Sequence, residues 1–354
     1  MKKCKLFAKV FLFMLCGLVG FTLSNAKSVK PRVFVNPGHG GHTSNDRPMP
    51  FMHFAPGDTA GYYESNSNMW KSFALINMLR NRGYEVYTSR VTNTEDDDLD
   101  LFEIVQLAAN SGADVFMSIH SNATGVKRNV NYTVQLFRGH TDSCIDVQSK
   151  EFAQLITERL STNTCTPWTH PKMTAGDWDF FSDWGYQVGL GVLRYNKIPG
   201  MLSEGSFHDY LPERQRLLNR DYCALEAFNF TIALEQYFGT KVKKPVGVVA
   251  GVLRHSNWLR PDTCQLFQVD SLESVNGARV DLLKGKKVVA TCVTDTLHNG
   301  FYMFRDLKPG KYTLIVTPLD DNHGHLPVGQ VVCKEEVIVK PEDITYVNFL
   351  LENL

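Results

Sequence analysis

Two histidines and two glutamates, far apart in the chain, stand where regular patterns break. His39 follows the run Arg32-Val33-Phe34-Val35 inside Asn36-Pro37-Gly38-His39-Gly40-Gly41. His120 follows Val115-Phe116-Met117-Ser118-Ile119, Glu64 opens a helical stretch, and Glu204 closes Ile198 to Ser203. Imidazole nitrogens and carboxylate oxygens are donors for a divalent metal. Three of them with one open position make a hydrolytic zinc site, and a further carboxylate can move protons there. The expectation is one Zn2+ on His39, Glu64 and His120, with Glu204 as general base and acid. A plainer reading stays open. A histidine beside a glycine turn serves structure as readily, and a glutamate at a helix start is favoured by the helix dipole. His42, His53, His170 and His208 are competing imidazoles, without a matching strand-end position.

The elements that must position these groups are readable in outline. A short β-branched and aromatic run ended by Pro-Gly reads as a buried strand. Arg32 to Val35 and Val115 to Ile119 fit that pattern, so both histidines fall past carboxyl ends of strands, the edge where open α/β sheets bind ligands. Met69 to Arg82 has helical spacing, with Ser and Asn before it and Gly83 after it. Strand Tyr84 to Thr88, helix Leu99 to Ser111 and strand Ala113 to Ile119 follow with short links. Tyr132 to Phe137 reads as a strand, Gln148 to Leu160 as a helix, and Pro212 to Phe238 as one long helix. This order indicates an α/β fold: a mostly parallel sheet with helices on both faces. Asn163 to Gly189 is irregular and aromatic; Trp178 and Trp184 in it either pin the loop to the surface or, in the sharper reading, wall a substrate groove, and Asn122 is expected to contact substrate.

The composition supports two domains and no nucleic-acid role. The chain has 354 residues, 43% of them hydrophobic, and a formal net charge of +0. Lys2, Lys3 and Lys5, the apolar Val10 to Leu23 and the small Ser24-Asn25-Ala26 read as a signal peptide over residues 1–26. Its apolar stretch is shorter than the roughly 20 residues that span a bilayer, and Leu15 before Cys16 disfavours a lipid anchor. The expected product is exported, periplasmic or secreted, with no membrane span. Cys144, Cys165, Cys223, Cys264, Cys292 and Cys333 remain, an even number that permits disulfides without demanding them. Residues 27–240 form the expected catalytic domain and 241–245 a Lys-Pro linker. Residues 246–354 form a smaller antiparallel all-β sandwich, because short β-rich runs there are split by Asn276-Gly277, Lys284-Gly285, Asn299-Gly300 and Pro309-Gly310.

Several segments taken together resemble the zinc-dependent N-acetylmuramoyl-L-alanine amidases. They are Asn-Pro-Gly-His39-Gly-Gly, Glu64 before the helix to Gly83-Tyr-Glu-Val-Tyr-Thr-Ser-Arg90, Ala108-Ala-Asn before Gly112-Ala-Asp, Ser118-Ile-His120-Ser-Asn-Ala, and Leu202-Ser-Glu204-Gly-Ser-Phe207. The resemblance covers about Arg32 to Phe238. It implies zinc on His39, Glu64 and His120, Glu204 as the catalytic glutamate, and peptidoglycan or its muropeptide fragments as substrate. The implied bond is the amide between the lactyl group of N-acetylmuramic acid and L-alanine. Departures are Asn36 where the family commonly has Asp, a longer loop from His39 to Glu64, and a helix around Gln106 without the usual arginine. The second domain resembles the transthyretin-like, carboxypeptidase-regulatory sandwiches through Gly300-Phe-Tyr302 and Pro309-Gly-Lys-Tyr312. Two rival functions are a carboxypeptidase-type zinc peptidase, which needs a glutamate where His42 stands, and a non-catalytic wall-binding protein on the same fold.

Overall fold

The structure is a computed structural model, and it describes residues 30–42, 62–125, 129–162, 169–182, 188–260, 268–322 and 324–352. The expected signal peptide, His53, Cys165, Trp168, Trp184 and Cys264 lie outside the described residues. The first part of the chain runs β1 (Arg32–Pro37), α1 (Glu64–Asn81), β2 (Glu85–Thr88), α2 (Leu101–Ser111), β3 (Val115–Asn122), β4 (Val134–Phe137) and α3 (Val147–Thr162). It continues with β5 (Thr174–Gly176), α4 (Asp177–Phe180), α5 (Gly191–Arg194), β6 (Gly200–Phe207), α6 (Leu211–Leu217) and α7 (Arg220–Phe238).

These strands form one sheet in the order β2-β1-β3-β6-β4-β5. β2, β1, β3 and β6 are mutually parallel, whereas β4 runs antiparallel to β6 and β5 runs with β4. Side chains alternate across the sheet. Val33, Val35, Met117, Ile119 and Met201 pack on α1, α3 and α7. Phe34, Phe116, Leu202, Val134 and Leu136 pack on α2 and α5. Helices therefore cover both faces, as the strand-helix alternation indicated.

Local chemistry sets the helix boundaries. Asp100 caps α2 by accepting from Phe102 N at 2.8 Å. The expected long helix from Pro212 is two helices, because the Asn219 side chain accepts from Asp221 N and Tyr222 N and so starts α7 afresh. Two strands run further than their sequences indicated. β3 continues through His120 to Asn122, and β6 continues past Glu204 to Phe207. Their pairing persists, His120 opposite Glu204 and Asn122 opposite Phe207, with one extra residue accommodated on β6. Bulges of this kind re-aim side chains beside functional sites.

The remaining strands are β7 (Gly247–Leu259), β8 (Leu272–Ser274), β9 (Ala278–Lys284), β10 (Lys287–Val293), β11 (Phe301–Leu307), β12 (Gly310–Pro318), β13 (Cys333–Val339), β14 (Ile344–Tyr346) and β15 (Phe349–Leu351). One sheet has the order β10-β9-β12-β13 and is antiparallel throughout. The other is built on β7, which pairs antiparallel with β11 and β8 but parallel with β14 and β15. The two sheets enclose Val249, Val280, Leu282, Tyr302, Leu314 and Val337. The outer face of β7 and β11 is also buried: Val248, Ala250, Val252, Phe301 and Met303 share a core with Tyr62, Leu217, Leu225 and Phe228 of the first part. Among the described cysteines, Cys144, Cys223, Cys292 and Cys333 are free thiols.

Candidate metal centre

His39, Glu64 and His120 meet at the carboxyl edge of β1 and β3. Each offers one donor atom, and these atoms all lie within 4.8 Å of one another. Glu64 Oε2 is 3.3 Å from His39 Nε2, and Glu64 Oε1 is 3.2 Å from His120 Nδ1. The two imidazoles stand edge to face with centroids 4.8 Å apart. A tetrahedral ion with bonds of 2.0–2.2 Å separates its ligands by about 3.4 Å. Two imidazoles and a carboxylate at this spacing fit one divalent ion.

The backbone around the site is specialised for that meeting. His39 adopts φ 60°, an uncommon conformation for a residue with a side chain. A Cβ on Gly38 would lie 2.2 Å from the His120 ring, so only glycine lets β1 pass the imidazole. Arg90 is buried and donates to the carbonyls of Pro37 (3.1 Å), Gly38 (3.0 Å) and Ser65 (3.3 Å), tying the His39 loop to the start of α1. Asn36 braces the same loop. Its amide donates to Ser118 Oγ at 2.8 Å, and its oxygen accepts from Ser89 Oγ at 2.7 Å.

Glu64 is positioned by α1 and held as an acceptor. Its Oε1 takes Ser121 N at 2.9 Å and Asn68 Nδ2 at 3.2 Å. Its place in the first helical turn favours the anion. Beside it, burial first and the Glu64 carboxylate second push the Tyr62 phenol well above its usual range, so that group stays neutral. Tyr62 Oη and Ser67 Oγ are 2.6 Å apart.

Three supporting residues were not identified by sequence reasoning. His208, one of the competing imidazoles, is buried, with Nδ1 3.7 Å from Glu64 Oε2. Lys71 is fully buried, donating to Ser121 Oγ at 2.9 Å and to His120 O at 3.4 Å, and pairing with Glu226 at 3.0 Å. A signal for it existed: Glu64, Asn68, Lys71 and Leu75 recur at helical spacing and share one face of α1. The buried Arg90 is the third. His42 stacks on Tyr63 with centroids 3.4 Å apart, and His170 stacks on Tyr132 at 4.3 Å, so neither completes the triad.

Glu204 is buried and lies in register with His120 on the neighbouring parallel strand. Paired residues of neighbouring strands project to the same face, so Glu204 and His120 stand side by side. Asn122 is buried at the end of β3, where its oxygen accepts from Ala123 N at 2.8 Å and its carbonyl accepts from His208 N at 2.8 Å. Trp178 is elsewhere. It follows β5, which runs opposite to β6 and stands three strands from β3, about 14 Å across the sheet. Its ring meets His140 edge to face at 5.0 Å, at the other edge of the sheet, so it does not wall a groove over the triad. The reversal of β4, which the local sequence does not reveal, sends it there.

The N-acetylmuramoyl-L-alanine amidase family matches residues 33–232, more than half of the chain and all four of these groups. The N-acetylmuramoyl-L-alanine amidase CwlM of Bacillus licheniformis is 25% identical over 186 residues, 52% of this chain and 60% of that protein. The sporulation-specific N-acetylmuramoyl-L-alanine amidase of Bacillus subtilis (strain 168) is 25% identical over 218 residues, 61% of this chain and 72% of that protein. The chain thus spans about 60% to 72% of the length of these relatives. Among solved structures, the N-acetylmuramoyl-L-alanine amidase from Clostridium difficile 630 is 24% identical, aligned over 60% of this chain and 99% of that one with a TM-score of 0.46. By the match over residues 33–232, the chain belongs to the N-acetylmuramoyl-L-alanine amidase family.

Proposed function

We propose that this protein is a zinc-dependent hydrolase of peptidoglycan that cleaves the amide between N-acetylmuramic acid and the L-alanine of the stem peptide. The observation that carries the reading is the convergence of His39, Glu64 and His120, with Glu204 in register beside His120. When bound to the three ligands, zinc supplies Lewis acidity at the scissile carbonyl and lowers the pKa of water toward 7. The chain's own groups do the rest. The Glu204 carboxylate takes the proton of the attacking water and returns it to the nitrogen of the departing amine. Without that return the leaving group is an amide anion, so acid and base steps are both required. Asn68 and Ser121 orient Glu64 by donating to its Oε1, and Lys71 holds the backbone of His120.

Residues 1–26 act as an export leader in this reading, 27–240 as the catalytic part, 241–245 as a link and 246–354 as an accessory sandwich. Among the described residues, no helix is long and apolar enough to cross a membrane. Substrate meets the site's edge at Tyr132 rather than at Trp178. Tyr132 lies two residues before Val134, the direct partner of Glu204, and is backed by Phe207 at 4.8 Å and faced by His170 at 4.3 Å. Burial, with Lys172 second, lowers the His170 pKa and keeps that ring neutral at pH 7, suited to stacking. The Tyr132→Ala variant raises KM on purified peptidoglycan several-fold at unchanged zinc content. An unaltered KM returns the ring pair to a packing role.

Metal analysis of purified Glu64→Ala and His120→Ala proteins tests the ligand set. Both lose stoichiometric zinc, and full occupancy in both assigns the metal to other residues. Product analysis on purified peptidoglycan tests the reaction. The expected products are new L-alanine amino ends and free lactyl carboxylates on the glycan. Release of carboxy-terminal amino acids, or binding without products, identifies a peptidase or a wall-binding protein instead.

A further inference from the structure

The carboxylate of Asp270 lies in the C-terminal sandwich part, yet its partners include Tyr210 and Arg216 of the catalytic part. It is buried, and Oδ1 accepts from Arg216 Nη1 at 3.0 Å and Arg254 Nη2 at 2.7 Å. Its Oδ2 accepts from Tyr210 Oη at 3.1 Å and Arg216 Nη2 at 3.3 Å. Arg216 and Arg254 are among the largest fully buried side chains of the protein. Arg216 turns its other edge to Glu213 Oε2, at 3.0 and 2.8 Å. Two guanidiniums thus face two carboxylates in a buried cluster.

The cluster is joined to the metal centre by short covalent and hydrogen-bonded steps. Glu213 Oε2 accepts from Asn131 Nδ2 at 3.2 Å, and Asn131 Oδ1 accepts from Phe207 N at 3.0 Å, three residues beyond Glu204. Tyr210 is two residues from His208, whose ring lies 3.7 Å from Glu64. Asp209, between them, accepts from Thr124 N, Thr124 Oγ1 and Gly125 N at 2.8, 2.8 and 3.1 Å, fastening the chain just beyond β3, the strand that carries His120. The segment Phe207 to Tyr210 therefore touches three supports: Glu64, the end of β3 and the sandwich.

We propose that Asp270 is a positioning residue for the metal centre, and that the C-terminal sandwich completes the catalytic part rather than trailing it as a tethered module. The inference rests on the reading of His39, Glu64 and His120 as metal ligands. A buried ionic cluster that loses one member leaves an uncompensated charge and relaxes around it. Here the relaxation enters at Tyr210 and Arg216, on the segment that shapes the far side of Glu64. The shared core of Leu217, Leu225 and Phe228 with Val248, Val252 and Phe301 keeps the two parts in fixed register, so the Asp270 carboxylate arrives at a defined place. Arg82 bonded to both Glu235 and Glu342 makes a second such tie.

The test uses the full-length protein in three forms: wild type, Asp270→Asn and Tyr210→Phe. Tyr210→Phe removes one hydroxyl and keeps the ring, so it folds even where the charge change is not tolerated. Zinc dissociation constants come from chelator competition, and the visible absorption of the Co2+-substituted protein reports ligand geometry, which a change of stability alone does not shift. Asp270→Asn is expected to weaken zinc by about tenfold, the low end for residues behind metal ligands, and to shift the Co2+ bands at a temperature where circular dichroism shows it folded. Tyr210→Phe moves both readouts in the same direction by less. Wild-type affinity and Co2+ spectrum in folded Asp270→Asn overturn the proposal even where its melting temperature falls. If Asp270→Asn does not fold, an unchanged Tyr210→Phe overturns it. A wild-type protein that binds no zinc instead sinks the underlying ligand assignment, a distinct result.

Discussion

Glu204→Gln lowers kcat on purified peptidoglycan by about 10²–10⁴, the usual contribution of a general acid–base group, while zinc content stays at the wild-type level. The substitution keeps shape and hydrogen-bonding capacity but cannot take a proton from water or hand one to the amine. Glu204 is placed by the β3–β6 ladder rather than by a loop, so the amide occupies the same position and the loss reads chemistry, not disorder. KM changes little, because the interaction removed is made in the transition state. Near-wild-type turnover in this variant assigns the proton transfers to another group and overturns the mechanism.

Lys71→Met destabilises the protein by about 3–5 kcal/mol, the range for removing one partner of a buried ion pair. The methionine fills the space of the stem but leaves Glu226 without its cation. Burial already holds Glu226 above its usual range, with Lys71 opposing the shift. In the variant that opposition is gone, and the folded state binds the Glu226 proton more tightly than the unfolded chain does. The sign follows: a carboxyl with a raised folded pKa costs stability at neutral pH, and the cost shrinks as pH falls through that pKa. Urea unfolding at pH 7 and pH 5 checks this, with the larger loss expected at pH 7. An equal loss at both values, or a loss below about 1 kcal/mol, as for an exposed pair, means that Lys71 and Glu226 are not coupled as described. Gly205 leaves room for the pair, since a Cβ there would lie 2.2 Å from the Glu226 carboxylate.

The same buried pair explains why Lys71 matters to the site as well as to the fold. Its ammonium also bonds the His120 carbonyl and the Ser121 hydroxyl, and the Ser121 amide bonds Glu64. One cation therefore stands behind two of the three proposed ligands. Arg90 does the same for the third through the carbonyls of Pro37 and Gly38. Toward the ligands, both cations bond only backbone carbonyls and neutral groups in these contacts, so they orient those ligands without competing for their donor atoms.

Amino-acid order alone determined the strands that lead to His39 and His120, the helical spacing from Met69 that α1 extends back to Glu64, and the change to a strand-rich pattern after Pro245. Those features rest on patterns a few residues long: β-branched runs broken by Pro37-Gly38, helical spacing ended by Gly83, and Asn-Gly turns. Tertiary structure decided which distant groups meet. The reversal of β4 carried Trp178 to the opposite edge, and Asn219 divided one helical stretch into two. His208 came to lie against Glu64, Lys71 found Glu226, and Asp270 closed on Arg216 and Arg254. The physical reason is range. Propensities and caps act between neighbours, whereas strand direction, register and buried charge pairing are settled by hydrogen bonds and packing between residues tens to hundreds of positions apart.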